Sequence, residues 1–402
     1  MVHARILIIV ILYLVYVCNA STLGLYNRNE KFHFRSTNPS RGIQHWIFPN
    51  SKNANSFSLN QFGLGIFNTL LGQGNPFAQP EPESKSTQSG NDGVINALGP
   101  GQDPSPISRI EADGQRHYYF PTSDFNRGVY IQSSTNLNTV LSQPSNEHSV
   151  FNFTSQIGPE APSLYEWDAN NYLLYVSSVG ADGHGYIYVL HNDGQDLLNG
   201  WQNLGPVRYG NGDPIINYDA YAFTHPNGNH YLLYSGLHFI LLSRLDGFTQ
   251  LAPRSEEVVV VPARMVNGTT PVIEAPGAYI QGNTLNVFYS ENGFFEPAYD
   301  TLNIAIDVSL DPLQVSNWRN KSTGTTVLKS NSNTGVYGPG SGGAFIGPDS
   351  KPWFAYTCFY EKDGFDQTKV NPRRVQAQPL SFNEDNVLVQ IIPDKPLRYV
   401  NA

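Results

Sequence analysis

The sequence predicts an all-β fold, a five-bladed β-propeller with a poorly ordered N-terminal extension, and three observations lead to it. Only 14% of the residues are charged, while Gly, Pro and Tyr are plentiful, as in short strands joined by tight turns. A strand–turn–strand unit recurs at intervals of roughly 60 residues. Five copies of this unit fill the chain from about residue 99 to residue 402.

Each copy opens on a short polar stretch, enters an apolar strand, turns at Asp, Asn or Gly, and returns through an aromatic-rich strand. The five copies begin at Asp103, Glu160, Asp219, Glu274 and Gly338. Most are followed by a further apolar strand, as at residues 128–132 and 185–190. Units of this length are too long for a solenoid coil, and they suit propeller blades, whose sheets surround a central channel.

The first 98 residues are predicted to lie outside the propeller domain, which is assigned to 99–402. Residues 1–20 combine Arg5, an apolar run and small terminal residues, as in a secretory signal peptide. The run is short for a membrane span, and an uncleaved anchor is the alternative. Residues 21–98 have the composition of a low-complexity linker. Within them, apolar residues from Leu59 to Leu71 indicate a short amphipathic helix, docked on the main domain or membrane-binding.

Charge and composition also predict location and partners. The net charge is -9 and no Lys/Arg cluster occurs, which argues against a nucleic acid or anionic membrane as partner. Three glycosylation sequons begin at Asn152, Asn267 and Asn320 and, with the signal, predict a secreted, extracellular glycoprotein. Because Cys18 lies in the signal, Cys358 has no disulfide partner, and its apolar strand predicts a buried packing residue.

The stretch 271–290 places a lone acid, Glu274, at the mouth of a predicted strand pair. A carboxylate among apolar residues is costly unless it is paired or its pKa rises, and a raised pKa is what a general acid needs. An acid that binds loop amides is the other interpretation. If the hairpins are equivalent, Asp103, Glu160 and Asp219 approach the same channel end as Glu274. Converging carboxylates with aromatic neighbours suggest glycoside hydrolysis.

These five segments resemble the blades of glycoside hydrolase family 43, the five-bladed arabinanases, arabinofuranosidases and xylosidases. The resemblance implies a general base at Asp103 of an Asp-Pro motif and a general acid at Glu274 of a Glu-Ala-Pro motif. It implies that Asp219 in the third blade orients the acid and raises its pKa. The catalytic residues are therefore predicted to be Asp103, Asp219 and Glu274.

Four further residues are predicted to bind substrate. Glu160 also precedes Ala-Pro, but the family's second blade usually has an aromatic there, so Glu160 is predicted to line the pocket, with a role as the acid as the alternative. Tyr221 follows the third-blade Asp. Arg373, or its neighbour Arg374, corresponds to an Arg that the family points into the pocket. Ser341 stands where the family's fifth blade typically reads Gly-Pro-Gly-His.

That fifth-blade His is associated in many members with calcium or another ion. With Ser341 in its place, no metal ligand is assigned and a calcium requirement is not expected; no organic cofactor is needed. His184, His225 and His230 are candidates to replace it, although a His in a turn or strand is more often an ordinary hydrogen-bonding residue.

The favoured function is a secreted, inverting glycoside hydrolase that acts on arabinan or arabinoxylan-type polysaccharides. One alternative is a catalytically inactive carbohydrate-binding propeller, which the loss of the fifth-blade His favours and the three retained acids oppose. Another is a fructan-acting, retaining propeller glycosidase, in which Asp103 would be a nucleophile. The sequence leaves open the sugar, endo or exo attack, and the oligomeric state.

Overall fold

The computed structural model describes residues 94–124, 128–142, 147–151, 157–180, 182–266, 268–319, 323–362 and 373–397. The predicted signal peptide, the amphipathic helix, the linker up to residue 93 and the asparagines of the three sequons lie outside these residues. No helix within the described ranges is long and apolar enough to cross a membrane.

The described residues form five sheets that follow one another along the chain, and they confirm the predicted five-bladed propeller. Blade 1 contains β2 (Ile107–Ile110), β3 (Arg116–Asp124), β4 (Gly128–Ser134) and β5 (Glu147–Phe151). Blade 2 contains β6 (Ile157–Asp168), β7 (Asn171–Val179), β8 (Gly185–Asn192) and β9 (Gln202–Pro206). Blade 3 contains β10 (Arg208–Tyr209), β11 (Tyr218–Thr224), β12 (His230–Ser235), β13 (Ile240–Leu245), β14 (Gln250–Leu251) and β15 (Val258–Val261).

The remaining two blades complete the ring. Blade 4 contains β16 (Ile273–Gln281), β17 (Thr284–Glu291), β18 (Asp300–Asp307) and β19 (Thr325–Leu328). Blade 5 contains β20 (Tyr337–Ile346), β21 (Pro352–Phe359), β22 (Arg374–Pro379) and the early strand β1 (Gly99–Pro100). Short 3-10 turns occur at Leu137–Thr139, Arg254–Glu256 and Val315–Asn317. The first strands of blades 2 to 5 contact one another in order, β6 also contacts β3 of blade 1, and β2 of blade 1 contacts β20 of blade 5.

The ring is closed by pairing the two ends of the described chain. Strand β1 pairs antiparallel with β22, with Gly99 opposite Val375. The Asn96 side chain donates to the Ala377 carbonyl (2.9 Å) and accepts from the Ala377 amide (2.9 Å). A sheet edge that is paired in this way no longer offers free backbone groups to other chains.

The second strand of each blade is apolar on both faces because it lies between two neighbouring blades. In β12, Leu232 and Tyr234 join the buried cluster shared with blade 2, whereas Tyr231 and Leu233 join the cluster shared with blade 4. This follows from the two-residue period of a strand. Buried apolar residues in the described ranges form five such clusters, one at each junction between blades.

The hairpin predicted for residues 271–290 is confirmed. Strands β16 and β17 pair antiparallel around Gly282 and Asn283, and Gly282 has a φ of 56°, in the region that favours glycine. Cys358, on β21, has no exposed surface and contributes to the cluster between blades 4 and 5. Burial raises the pKa of the Cys358 thiol to about 12, which confirms a packing residue and excludes a ready nucleophile.

Candidate active site

Every blade carries one non-glycine residue in the left-handed backbone region near the start of its first strand. These residues are Asp103 (φ 52°), Ala161 (46°), Asp219 (52°), Ala275 (50°) and Ser341 (46°). Such a conformation costs roughly 1–2 kcal/mol in a non-glycine residue, and strain of this kind clusters at functional sites. We call these five residues the inner ring.

The four acids occupy two adjacent positions of the repeat. Asp103 and Asp219 belong to the inner ring, whereas Glu160 and Glu274 each come one residue earlier. The equivalence of Glu160 and Glu274 is also visible in the pairing, because they lie opposite Ser177 and Ser290 at the ends of β7 and β17. The acids meet at one channel end as predicted. However, Glu160 and Glu274 lie one residue earlier in the repeat than Asp103 and Asp219.

Serine hydroxyls at the ends of the second strands bind the inner ring of the next blade. The Ser177 hydroxyl accepts a hydrogen bond from the Asp219 amide (2.8 Å), and the Ser290 hydroxyl accepts one from the Ser341 amide (2.8 Å). These bonds cross from blade 2 to blade 3 and from blade 4 to blade 5. They hold the strained inner-ring backbone in place.

Between blades 3 and 4 a carboxylate takes the place of the serine. The Ala275 amide donates to Asp219 Oδ2 (3.0 Å), and the equivalent hydroxyl, Ser235 Oγ, is buried without a hydrogen-bond partner in the described part of the chain. Asp219 therefore fixes the backbone directly after Glu274. This geometry suits a residue that orients the acid.

Glu274 is held in a form that suits proton donation. The Tyr299 hydroxyl donates to Glu274 Oε1 (3.0 Å), which leaves Oε2 for a proton. Burial raises the pKa of Glu274 to about 7; the Tyr299 hydrogen bond and the charge of Arg373 oppose the rise, and the negative charge of Asp103 adds to it. A carboxyl with this pKa remains partly protonated near neutral pH.

Asp103 has contrasting partners. Its Oδ1 atom accepts hydrogen bonds from the Ser341 hydroxyl (2.7 Å) and from Arg373 Nη1 (3.1 Å). Arg373 is only 4% exposed, also donates to the Thr357 hydroxyl, and lies under the Phe294 ring at 5.6 Å. The ion pair with a buried guanidinium fixes the orientation of the Asp103 side chain.

The remaining two acids complete a cluster of four carboxyl groups from four blades. Burial raises the pKa of Asp219 well above its usual value, and the charges of Glu274, Glu160 and Asp103 add to the rise. Burial likewise raises the pKa of Glu160 to about 8, with contributions from Asp103 and Glu274. Asp103 and Asp219 line one pocket at the channel mouth with Ala161 and Ala275, the residues that follow Glu160 and Glu274, so the four acids belong to one site.

The other predicted site residues differ in their surroundings. Tyr221 lines the channel two residues beyond Asp219, but its hydroxyl donates to the Ala278 carbonyl (3.2 Å) and links blades 3 and 4. Arg373, and not Arg374, reaches Asp103. The sequence did not indicate Tyr299, which belongs to the loop after β17. The strand-end serines Ser177, Ser235 and Ser290 had a weak sequence signal, since each follows a run of aromatic and aliphatic residues.

The candidate histidines at the far channel end cannot join this site. His225 and His230 flank the turn between β11 and β12, and β11 begins at the acidic site and ends at this turn. His225 lines a cleft between blades 3 and 4, whose Glu256 is paired with Arg244 (3.3 Å). That cleft lacks the convergent carboxyl groups of the channel mouth.

The described residues do not fit the ion site that the family resemblance implies. No three His, Cys, Asp or Glu side chains in the described ranges are grouped as metal ligands. Ser341, which stands at the position of the family's His, uses its hydroxyl on Asp103. Calcium therefore enters no step of the chemistry derived below.

A five-bladed propeller whose channel mouth gathers carboxyls with contrasting environments defines a class, the propeller glycoside hydrolases. The sequence profile of glycosyl hydrolases family 43 matches residues 96–388, and the chain belongs to this family. The family is one of glycoside hydrolases, so the substrate is a polysaccharide or oligosaccharide. No curated protein sequence matches the chain.

Solved structures share the fold. An α-L-arabinofuranosidase from Lactobacillus brevis is similar over 76% of this chain and 98% of its own length, with 18% identity and a TM-score of 0.65. A thermostable family-43 glycoside hydrolase is similar over 76% and 98%, with 20% identity and a TM-score of 0.60. A xylan β-1,4-xylosidase from Bacillus halodurans C-125 is similar over 75% and 58%, with 18% identity and a TM-score of 0.55. At these identities the similarity concerns the fold alone.

Proposed function

We propose that the protein is a secreted, inverting glycoside hydrolase that cleaves arabinan or arabinoxylan-type polysaccharides. One observation carries the proposal: two carboxyls at the same channel end have opposite environments. Glu274 is half-buried with a raised pKa, whereas Asp103 is paired with Arg373. A carboxyl with a raised pKa beside a second carboxyl that is held by a guanidinium suits an acid and a base at one site.

In the proposed reaction, Asp103 takes a proton from a water molecule as that water attacks the anomeric carbon. Glu274 gives its proton to the oxygen of the leaving sugar as the glycosidic bond breaks. The products are a sugar with inverted anomeric configuration and a free alcohol, and the two carboxyls return to their starting states by proton exchange with solvent. Asp219 holds the Ala275 backbone, and the negative charge of Asp103 favours the protonated acid.

The charge of the site supports neutral sugars as substrates. The raised pKa values keep Glu160 protonated and Glu274 partly protonated at neutral pH, while Asp103 is paired with Arg373, so the pocket has little net charge to attract an anionic sugar. Phe294, which is 42% exposed above Arg373, offers an aromatic face on which a sugar ring can stack. The solved relatives named for arabinofuranosidase and xylosidase activity make arabinose and xylose linkages the first to test.

The stereochemical course tests the proposal most directly. Arabinan, arabinoxylan, xylan, galactan and inulin would be screened for release of reducing ends, and the earliest anomeric proton signals would be followed by NMR on the active substrate. We expect inversion, and Glu274→Gln should abolish turnover. Retention would instead indicate a nucleophilic Asp103 and the fructan-type alternative. Binding without turnover would support a carbohydrate-binding propeller.

Metal removal gives a second test. Because Ser341 binds Asp103 and the described residues do not fit an ion site, we expect EDTA to lower activity less than twofold. The control is the same assay with calcium added back. Complete loss on chelation and recovery with calcium would show that an ion takes part after all.

A further inference from the structure

Glu160 occupies in blade 2 the position that Glu274 occupies in blade 4. Both begin a Glu-Ala-Pro sequence, both precede a left-handed Ala, and both lie opposite a strand-end serine. The carboxyl of Glu160 is influenced by Asp103 on blade 1 and by Glu274 on blade 4. The two residues that follow it, Ala161 and Pro162, line one pocket with Asp103 and Asp219, which places Glu160 at the channel mouth.

The two glutamates differ in their partners. Glu274 accepts a hydrogen bond from Tyr299, whereas the Glu160 carboxyl makes no hydrogen bond or ion pair with any residue in the described ranges. Glu160 is half-buried, and partial burial without a protein partner is costly for a polar group. Because burial raises the pKa of Glu160 to about 8, the group holds its proton at neutral pH and can both donate and accept hydrogen bonds.

The fold itself gives no reason for a carboxyl at this position. The blade 2 backbone is held by the pairing of β6 with β7, and the equivalent positions of blades 1, 3 and 5 are Gln102, Tyr218 and Gly340. Blades 1, 3 and 5 thus form the same inner-ring turn with an amide, an aromatic ring or no side chain at this position. The turn therefore does not require a carboxyl. The missing partner is therefore expected to be the ligand.

We propose that Glu160 is a substrate-contact residue that binds a hydroxyl group of the neutral sugar in the pocket, and that it selects sugars with that hydroxyl over the corresponding deoxy sugars. The proposal rests on the proposed function, since it concerns the same pocket. A site that hydrogen-bonds a hydroxyl discriminates strongly against an analogue without it, because the polar group is then left unpaired.

The test compares Glu160→Leu and Glu160→Gln in the full chain, each also combined with Glu274→Gln. Binding of α-1,5-arabinotriose and xylotriose would be measured by calorimetry in the Glu274→Gln background, and kcat and KM in the active background. We expect Glu160→Leu to weaken binding and raise KM at least about tenfold while kcat changes less. Glu160→Gln, which keeps a donor and an acceptor, should lose clearly less. Glu166→Leu, at the far end of the same strand, is the matched control.

Thermal unfolding separates this role from a structural one. Because the variant removes an unpartnered polar group, Glu160→Leu should raise Tm, whereas loss of a structural contact would lower it.

Equal trisaccharide binding by Glu160→Leu and the parent would overturn the proposal. The proposal would also be overturned if Glu160→Gln lost activity only on substrates with poor leaving groups, because Glu160 would then be the proton donor. Binding without turnover would overturn only the proposed function, and absence of sugar binding would overturn both.

Discussion

Blades 2 and 4 carry the same Glu-Ala-Pro sequence on the same strained backbone, yet their glutamates have different surroundings. Glu274 has a hydroxyl donor in Tyr299, and Asp219 binds the amide that follows it. Glu160 has neither kind of neighbour in the described part of the chain. The comparison shows that the tripeptide fixes the position of a carboxyl, while residues of other blades and loops fix what the carboxyl can do.

The largest expected effect distinguishes the two glutamates directly. Glu274→Gln should lower kcat on arabino- or xylo-oligosaccharides by about 10²–10⁴-fold, because it removes the proton donor. Its loss on a 2,4-dinitrophenyl glycoside, whose leaving group needs no proton, should be much smaller. Glu160→Gln is the comparison variant and should show no such dependence on the leaving group. The reverse ranking would exchange the roles of the two residues.

A smaller effect is expected at Asp219, which binds the backbone of the Glu-Ala-Pro sequence in blade 4 and not that in blade 2. Asp219→Asn weakens a charged hydrogen bond to the Ala275 amide, and a bond of that kind is worth about 1.5–3 kcal/mol, or about 10–100-fold in rate. It also removes one carboxyl of a pair in which the charge of Glu274 raises the pKa of Asp219, so the last proton of the pair should be lost at lower pH and the alkaline limb of kcat/KM should move down. Rate profiles from pH 4 to 9 would measure both effects. An unchanged limb would show that Asp219 acts on position alone.

Tyr299→Phe should move the same limb in the opposite direction. The Tyr299 hydrogen bond lowers the pKa of Glu274 from the value that burial would otherwise give, so its loss raises that pKa. Because the acid must be protonated, activity should then persist to higher pH, with a rate at neutral pH only a few-fold lower. A shift to lower pH would contradict the assigned hydrogen bond.

The smallest effects concern the serines behind the inner ring. Ser177→Ala and Ser290→Ala each remove the acceptor of a buried amide and should cost about 1 kcal/mol of unfolding free energy. Ser235→Ala should cost close to nothing, since Asp219 already binds the amide that this hydroxyl would accept. Urea denaturation of the three variants would measure the differences. Equal costs would mean that Ser235 has a partner after all.

Much of the architecture could be predicted from local patterns. Each hairpin has its own apolar strands and turn residues, so the five blades and the turn at Gly282 were visible without long-range information. The pairing of β1 with β22 was not, because Asn96 and Ala377 meet only when the ring closes. A contact between chain ends has no local periodicity that would reveal it.

The sequence by itself determined the five-fold repeat and the meeting of Asp103, Asp219 and Glu274 at one channel end, because each hairpin places its first residues at the same end of the channel. Only the tertiary structure decided how these carboxyls differ. The pKa of Glu274 depends on burial, on Tyr299 from a loop and on charges from other blades, and the same holds for Glu160. Burial and through-space charge depend on distances between residues far apart in the chain, and such distances exist only after folding.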